Sequence, residues 1–329
     1  MGLVTCCVVF ASTLVAFVLT FAMRRISLVR GLMDVPNARS SHTAPTPRGG
    51  GVAIVLASIG AFCALAGCGI VGHDLFMALV VGGLAVAIIG FIDDRRPLPA
   101  WVRLLVHIAA AIWALVWLGR VQDAFIIRVV NILGIIWVLN LYNFMDGIDG
   151  IAASEATFVS WAGAALLVAT GGWSGVAVAA LAFGAACCGF LIWNWPPAKI
   201  FMGDVGSGYI GYTVAVLALA AAQDRPGLLA VWLILSGLFI IDATVTLARR
   251  LIRGEKVYSA HRSHAYQWLA RRWKSHKSVT LLVLIINLLW LLPWSWAGAA
   301  NPTHVEWIAA IALAPLILLA LIAGAGRCE

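Results

Sequence analysis

Between Asn143 and Gly150 the chain reads NFMDGIDG, which places two carboxylates, Asp146 and Asp149, directly after an apolar run. Continued as helix, that run would carry Asn143, Asp146 and Asp149 at i, i+3 and i+6 on one polar face. Such a face suits a metal ion or a phosphorylated ligand, and it also suits a plain polar cap at a membrane surface. Three further stretches pose the same choice. DDRRPLPAWVR, Asp93 to Arg103, sets two adjacent carboxylates at the end of an apolar segment, where they repel one another unless a cation intervenes or Arg95 and Arg96 pair with them. NWPPAKIFMGDVGSG, Asn194 to Gly208, holds Asp204 among glycines without the Gly-Lys-Ser/Thr of a Walker loop. Phe201 stands three residues before it, so a planar ring and a carboxylate are offered together, as a nucleotide base and its metal-bound phosphates require. AHRSHAYQ supplies His261, Arg262 and His264, which lack the further ligands of a zinc site but can donate to phosphate oxygens. Arg48, in SSHTAPTPRGGG, offers a guanidinium beside glycine N–H groups in the same way. Each stretch alone could be a turn, an ion pair or a basic surface on anionic headgroups, the last helped by Trp268 and Trp273. What favours chemistry is that all of them fall on one side of the apolar segments.

Those segments follow from composition. The 329 residues are 63% hydrophobic and only 11% charged, too few charges for a soluble globular surface. A spanning helix needs about 20 mostly apolar residues. Eleven stretches qualify: Leu3–Met23, Gly51–Val71, Leu75–Ile92, Trp101–Leu118, Ala124–Tyr142, Ile151–Thr170, Gly175–Trp193, Tyr209–Ala222, Gly227–Ala248, Val279–Trp296 and Val305–Ala325. The expectation is an all-α, polytopic integral membrane protein of about 11 transmembrane helices, forming one transmembrane domain over residues 1–329. The first stretch has no basic start and is followed by Arg24 and Arg25 without a small-residue cleavage pattern, so it reads as an uncleaved span. The seven cysteines lie in or beside apolar segments and imply neither zinc nor disulfides.

The net charge of +8 could suggest nucleic acid, but its distribution excludes that partner. Counted through eleven spans, 19 of the 22 Lys and Arg residues fall on the odd-numbered connections and the C-terminus, leaving Arg120, Arg128 and Arg225. That side is the cytoplasmic one by the positive-inside rule. Within the spans, Asp242 is expected to pair with Arg249 or line the site, while His107, Arg128, Asn131 and Asn140 read as hydrogen bonders between helices or at the interface.

Together, Asp93, Asp94, Asp146, Asp149 and Asp204 would meet a basic, histidine-bearing loop at one membrane face. Carboxylates bind Mg²⁺, the metal that accompanies diphosphate oxygens, and arginine and histidine balance phosphate charge. Phosphoryl transfer between a soluble nucleotide and a lipid phosphate is the chemistry this suggests. NFMDGIDG, DDRR, NWPPAKIFMGDVGSG and AHRSHAYQ, in this order, resemble the polyprenyl-phosphate N-acetylhexosamine-1-phosphate transferases, a group that includes phospho-N-acetylmuramoyl-pentapeptide transferase. The resemblance covers nearly the whole chain. It implies a multi-pass protein of the bacterial inner membrane with a cytoplasmic active site, using Mg²⁺ (with Mn²⁺ as a substitute) to move sugar-1-phosphate from a UDP-sugar to undecaprenyl phosphate, with UMP leaving. By motif position, Asp204 corresponds to a direct metal ligand with Asn143 as a second, and Asp93 and Asp94 to the pair near the lipid phosphate. Asp149 and Phe201 correspond to the uridine contacts, and Asp146 and Asn194 shape the same pocket. Arg103, His261, Arg262, His264 and Arg48 would hold phosphates. His-Arg-Ser-His in place of a tight run of histidines departs from the peptidoglycan branch, and PNARSSHTAPTPRGGG looks more like the branch that initiates O-antigen and other surface polysaccharides. The implied donor is a UDP-N-acetylaminosugar, UDP-GlcNAc or a 6-deoxy relative. Expected partners are undecaprenyl phosphate, that donor and membrane lipids, with a homodimer as the assembly to test. The rival reading, a transporter or flippase of a lipid-linked anion, would place its ionisable residues near the bilayer midplane.

Overall fold

A computed structural model of the chain describes residues 2–36, 44–223, 225–255 and 261–327. Arg39, Lys256 and Cys328 lie outside the described residues, as does part of the PNARSSHTAPTPRGGG loop. The described chain is almost wholly helical: α1 (Leu3–Arg30), α2 (Gly51–Gly67), α3 (His73–Arg95), α4 (Ala100–Trp117), α5 (Phe125–Met145), α6 (Ile151–Gly171), α7 (Gly175–Asn194), α8 (Asp204–Ala221), α9 (Gly227–Leu235), α10 (Gly237–Ile252), α11 (Ala265–Trp273), α12 (His276–Ala300) and α13 (Val305–Ile322). Two residues on each side of the first connection, Met33–Asp34 and Thr46–Pro47, pair as a short antiparallel ribbon.

All eleven expected segments are helical, because a chain in hydrocarbon must satisfy its backbone internally. Nine of the described helices have the length and apolarity to cross a bilayer. Two segments take another form. The Gly51–Val71 stretch gives a helix of only 17 residues, and the Gly227–Ala248 stretch breaks at Ser236 into α9 and α10, bent by 76°. The chain is thus a multi-pass membrane protein.

At the centre stands α8, buried along almost its whole length. Its small residues let α3 and α5 pack close on either side, with α2 behind. Gly90 of α3 lies so near the Asp204 and Val205 backbone that a side chain there would collide with it. Apolar side chains exposed along α1, α4, α5 and α13 form the lipid-facing surface. At one end Arg225 donates to Thr170 Oγ1 at 2.7 Å and Gln223 to the Leu118 carbonyl at 2.6 Å, gathering the connections that carry few basic residues. The five connections rich in motif residues gather at the other.

Candidate active site

A cavity of about 260 Å³ lies where those five connections meet. Eight of the sequence-predicted residues line it: Arg48, Asp94, Asn143, Asp146, Asp149, Asn194, Phe201 and Asp204. Each is placed by identifiable local structure.

Helix α5 stops at Met145 instead of continuing through the motif. The Tyr266 hydroxyl donates to the Phe144 carbonyl at 2.9 Å, and Gly150 takes a left-handed φ of 76° that starts α6 in a new direction. Asn143, Asp146 and Asp149 therefore do not share a helix face. They enter the cavity from a helix end and the turn after it, which wraps around the space a straight helix would have passed. Asn194 holds that turn to the next loop, accepting from the Gly150 N–H at 3.0 Å and donating to the Ile200 carbonyl at 2.9 Å. Phe201 is fixed by the first connection: its N–H donates to the Pro47 carbonyl at 2.8 Å and its carbonyl accepts from Gly50 at 2.9 Å.

The adjacent pair Asp93 and Asp94 divides its work. Asp94 accepts from the N–H groups of Asp204 and Val205, both at 3.1 Å, so the N-terminus of α8 is capped by a carboxylate from α3. This explains why α8 begins at Asp204, several residues before the apolar run. Asp93 points away from the cavity, accepting from Leu98 N–H at 2.6 Å and pairing with Arg103 at 2.5 Å. Arg103 Nη1 also lies 3.4 Å from Asp204 Oδ2. The expected pairing with Arg95 and Arg96 does not form; Arg95 lies over the Phe91 ring, 4.2 Å from its centroid. Asn143 donates through Nδ2 to Asp204 Oδ1 at 2.9 Å and to Ser207 Oγ at 3.1 Å, which turns its amide oxygen to other partners.

His261, Arg262 and His264 do not line this cavity. His264 is 2% exposed, 3.4 Å from Asp242 and stacked between His261, Tyr266 and Phe144. Burial, with His264 and Arg250 nearby, lowers the His261 pKa to about 4, so near neutral pH it is not a cation for phosphate. Asp242 neither pairs with Arg249 nor lines the cavity. It accepts from the N–H groups of Ala265 and Tyr266 at 2.9 and 3.0 Å, capping α11 from α10, while Arg249 donates to the Ala325 carbonyl. The motif thus braces α11, which carries Gln267 into the cavity wall and leads to α12.

Sequence reasoning missed Asp34, Ser207, Gln267 and His276, all in the lining. His276 Nδ1 lies 3.1 Å from Asp149 Oδ1, whose partner Oδ2 accepts from Ala198 N–H at 3.0 Å. Asp34 was findable as the sole acidic residue of the first connection. His276 carried no comparable signal, because only folding brings it beside a carboxylate 127 residues earlier.

The cavity is strongly anionic. Asp146 sits in its wall, and loss of hydration together with Asp204, Asp94 and Asp149 pushes its pKa up to about 7. No cluster of three or more His, Cys, Asp or Glu among the described residues has the geometry of a ready-made protein cage for a metal. The donors at hand are carboxylate oxygens and the Asn143 amide oxygen, without thiolate, around a Coulombic excess. That set fits Mg²⁺, which binds through one or two carboxylates and completes its shell with water and substrate phosphates.

These features define a multi-pass helical membrane protein with an acidic, arginine-bordered cavity at one end of its bundle. Residues 76–222 match the sequence profile described as glycosyl transferase family 4. The chain is 29% identical over 293 residues to a Bacillus subtilis protein named "Probable undecaprenyl-phosphate N-acetylglucosaminyl 1-phosphate transferase", covering 84% of this chain and 80% of that one. It is 28% identical over 313 residues to the decaprenyl-phosphate N-acetylglucosaminephosphotransferase of Mycobacterium tuberculosis, covering 83% and 78%. It is 26% identical over 294 residues to the undecaprenyl-phosphate alpha-N-acetylglucosaminyl 1-phosphate transferase of Escherichia coli, covering 82% and 77%. Over most of its length the chain is thus similar to proteins named as polyprenyl-phosphate N-acetylglucosamine-1-phosphate transferases, and its central part carries the glycosyl transferase family 4 profile.

Proposed function

We propose that the protein transfers a sugar-1-phosphate from a UDP-N-acetylaminosugar to undecaprenyl phosphate at the cytoplasmic face of a bacterial inner membrane. The observation that carries this reading is the convergence of Asp94, Asp146, Asp149 and Asp204 with Arg48 and Phe201 in one cavity. UDP-GlcNAc is the favoured donor on the names of the relatives, with a 6-deoxy N-acetylaminosugar as the second choice, and initiation of O-antigen or another surface polysaccharide is the pathway the motif pattern favours.

In the reaction a lipid phosphate oxygen forms a bond to the sugar-bearing phosphorus of the donor, and the bond from that phosphorus to the bridging oxygen breaks. UMP departs with the electron pair. Both partners are anionic and do not approach unaided. Bound Mg²⁺ supplies charge neutralisation on the diphosphate and on the departing UMP. Asp204 and Asn143 are the residues that would hold it, with Mn²⁺ able to take its place. Phe201 offers a face for uracil, Asp149 an acceptor for its N–H, and Asp146 and Asn194 shape the pocket around them. Arg48 and Arg103 balance phosphate charge, Arg103 being aimed by Asp93, while Asp94 fixes the Asp204 backbone. A phosphate monoester is largely ionised near neutral pH, so it needs no base to become a nucleophile and direct attack is favoured over a covalent enzyme intermediate. In this reading His264, packed against Asp242, acts through α11, and Arg262 keeps its expected role of balancing phosphate charge.

The flippase reading loses ground because the carboxylates gather at one end of the bundle and the relatives are named as transferases. Purified protein with Mg²⁺, undecaprenyl phosphate and a panel of UDP-sugars tests the proposal by UMP release. Release with UDP-GlcNAc is expected. Silence with every donor would refute it.

A further inference from the structure

Three residues line two cavities at once. Beside the cavity already described lies an outer one of about 710 Å³, lined by the turn at residues 196–198, by Arg271 of α11 and by residues 274–277 at the start of α12. The two cavities share Asp149, Phe201 and His276. Phe201 and Asp149 are the residues given to uracil above, so the base lies where the cavities meet and His276 stands in its pocket. Asp149 belongs to the turn between α5 and α6 and has no helix of its own to hold it. Its carboxylate is fixed from two directions: Oδ2 accepts from Ala198 N–H at 3.0 Å, and Oδ1 lies 3.1 Å from His276 Nδ1. A carboxylate oxygen only accepts, so the second contact takes its proton from the imidazole. One turn further along α12, Thr280 Oγ1 donates to the Asp149 carbonyl at 2.9 Å. His276 and Thr280 stand four residues apart and share a helix face, so the first turns of α12 grip Asp149 by side chain and backbone together. The His276 and Asp149 side chains are 18% and 13% exposed, which leaves both within reach of a bound base.

We propose that His276 is a positioning residue for nucleobase choice, orienting the Asp149 carboxylate so that the site accepts uracil and rejects cytosine. The assignment rests on the function proposed above and adds a residue to it. Uracil N3 carries a hydrogen, whereas cytosine N3 is an acceptor. A carboxylate held beside that position attracts the first base and repels the second, and a site built around such a hydrogen bond discriminates strongly against a ligand that cannot make it. The discrimination requires that the carboxylate stay in place. With His276 absent, Asp149 can turn about the Ala198 hydrogen bond and move its oxygens off N3, which relaxes the choice of base without touching the reacting phosphates. His276 thus acts through Asp149 and not on the substrate's diphosphate.

The test titrates UMP and CMP, each with Mg²⁺, into the purified wild type, His276→Ala, His276→Asn and Thr280→Val by calorimetry. Misplacing a hydrogen-bonding carboxylate predicts UMP binding weakened about tenfold in His276→Ala, with CMP binding changed by no more than about twofold. In turnover the same variant should raise KM for UDP-GlcNAc and leave kcat within about twofold, because the interaction is made equally in the ground and transition states. His276→Asn restores the preference for UMP, since its amide N–H stands where the imidazole Nδ1–H stood. Thr280→Val narrows the preference by a smaller factor, and if His276→Ala does not fold, Thr280→Val decides on the same comparison. Equal loss of UMP and CMP, or a fall in kcat with an unchanged UMP preference, would mark a brace without a part in base choice and overturn the proposal. If the wild type binds UMP but releases none from any donor, the reaction proposed above falls while the UMP and CMP titrations still judge His276. A wild type that binds both nucleotides equally, or neither, overturns the assignment.

Discussion

Asp204 is the side chain on which the most constraints converge: Asn143 donates to one oxygen, Arg103 approaches the other, and Asp94 holds its N–H. Replacing it with Asn removes charge and almost no volume. Asp204→Asn is expected to lower UMP release by on the order of a hundredfold or more while its melting temperature in detergent stays at or above that of the wild type, since one of several crowded carboxylates has been neutralised. Near-normal turnover would remove Asp204 from the reacting centre. Asp146 makes a separate prediction through pH. Its folded pKa, raised to about 7 from an ordinary 3.8, means that ionisation opposes folding, so the stability it contributes is present at low pH and is lost as pH rises between those values. Asp146→Asn should therefore melt higher than the wild type near pH 8 in chelator and lose that advantage near pH 4. Parallel melting curves at both pH values would contradict the assignment.

Two helices in this protein begin on carboxylates borrowed from elsewhere in the chain, α8 on Asp94 and α11 on Asp242. Such caps tie helix starts to neighbouring helices and so fix the turns that line the cavity. Asp242 is 3% exposed, so truncating it strands two backbone N–H groups away from water. Asp242→Ala is expected to cost about 1–3 kcal/mol, read as a lower melting temperature. It should also reduce UMP release, because α11 carries Gln267 and leads to His276, which meets Asp149. An exposed change such as Glu306→Ala should do neither. A destabilised but fully active Asp242→Ala would separate α11 from the site.

Across the whole molecule, charge is arranged by end. The acidic cavity and most of the basic residues share one end of the bundle. Mg²⁺ should raise the melting temperature near pH 8, EDTA should reverse the gain, and Asp204→Asn should blunt it, since a ligand bound only by the folded state stabilises it by mass action. Orientation is open to labelling in a cysteine-free background. Asp74 stands exposed at the start of α3, at the opposite end of that helix from Asp94, and Lys274 is exposed beside α11. Asp74→Cys should react with a membrane-impermeant maleimide in intact cells and Lys274→Cys only after permeabilisation; the reverse pattern would invert the topology.

What could be read from the chain alone was what the bilayer imposes locally. Hydrocarbon demands long apolar helices, and the eleven runs form helices because that demand acts on consecutive residues. Their polar ends then had to face water, which marked Asp94, Asp146, Asp149 and Asp204 as neighbours of one surface. The tertiary structure decided which side chains enter the cavity. Helix α5 stops at Met145 where periodicity would continue it, Asp94 spends its oxygens on α8, His264 turns inward to Asp242, and His276 arrives beside Asp149. Each of these depends on a backbone hydrogen bond or ion pair between segments far apart in sequence, and such contacts exist only once the helices have packed.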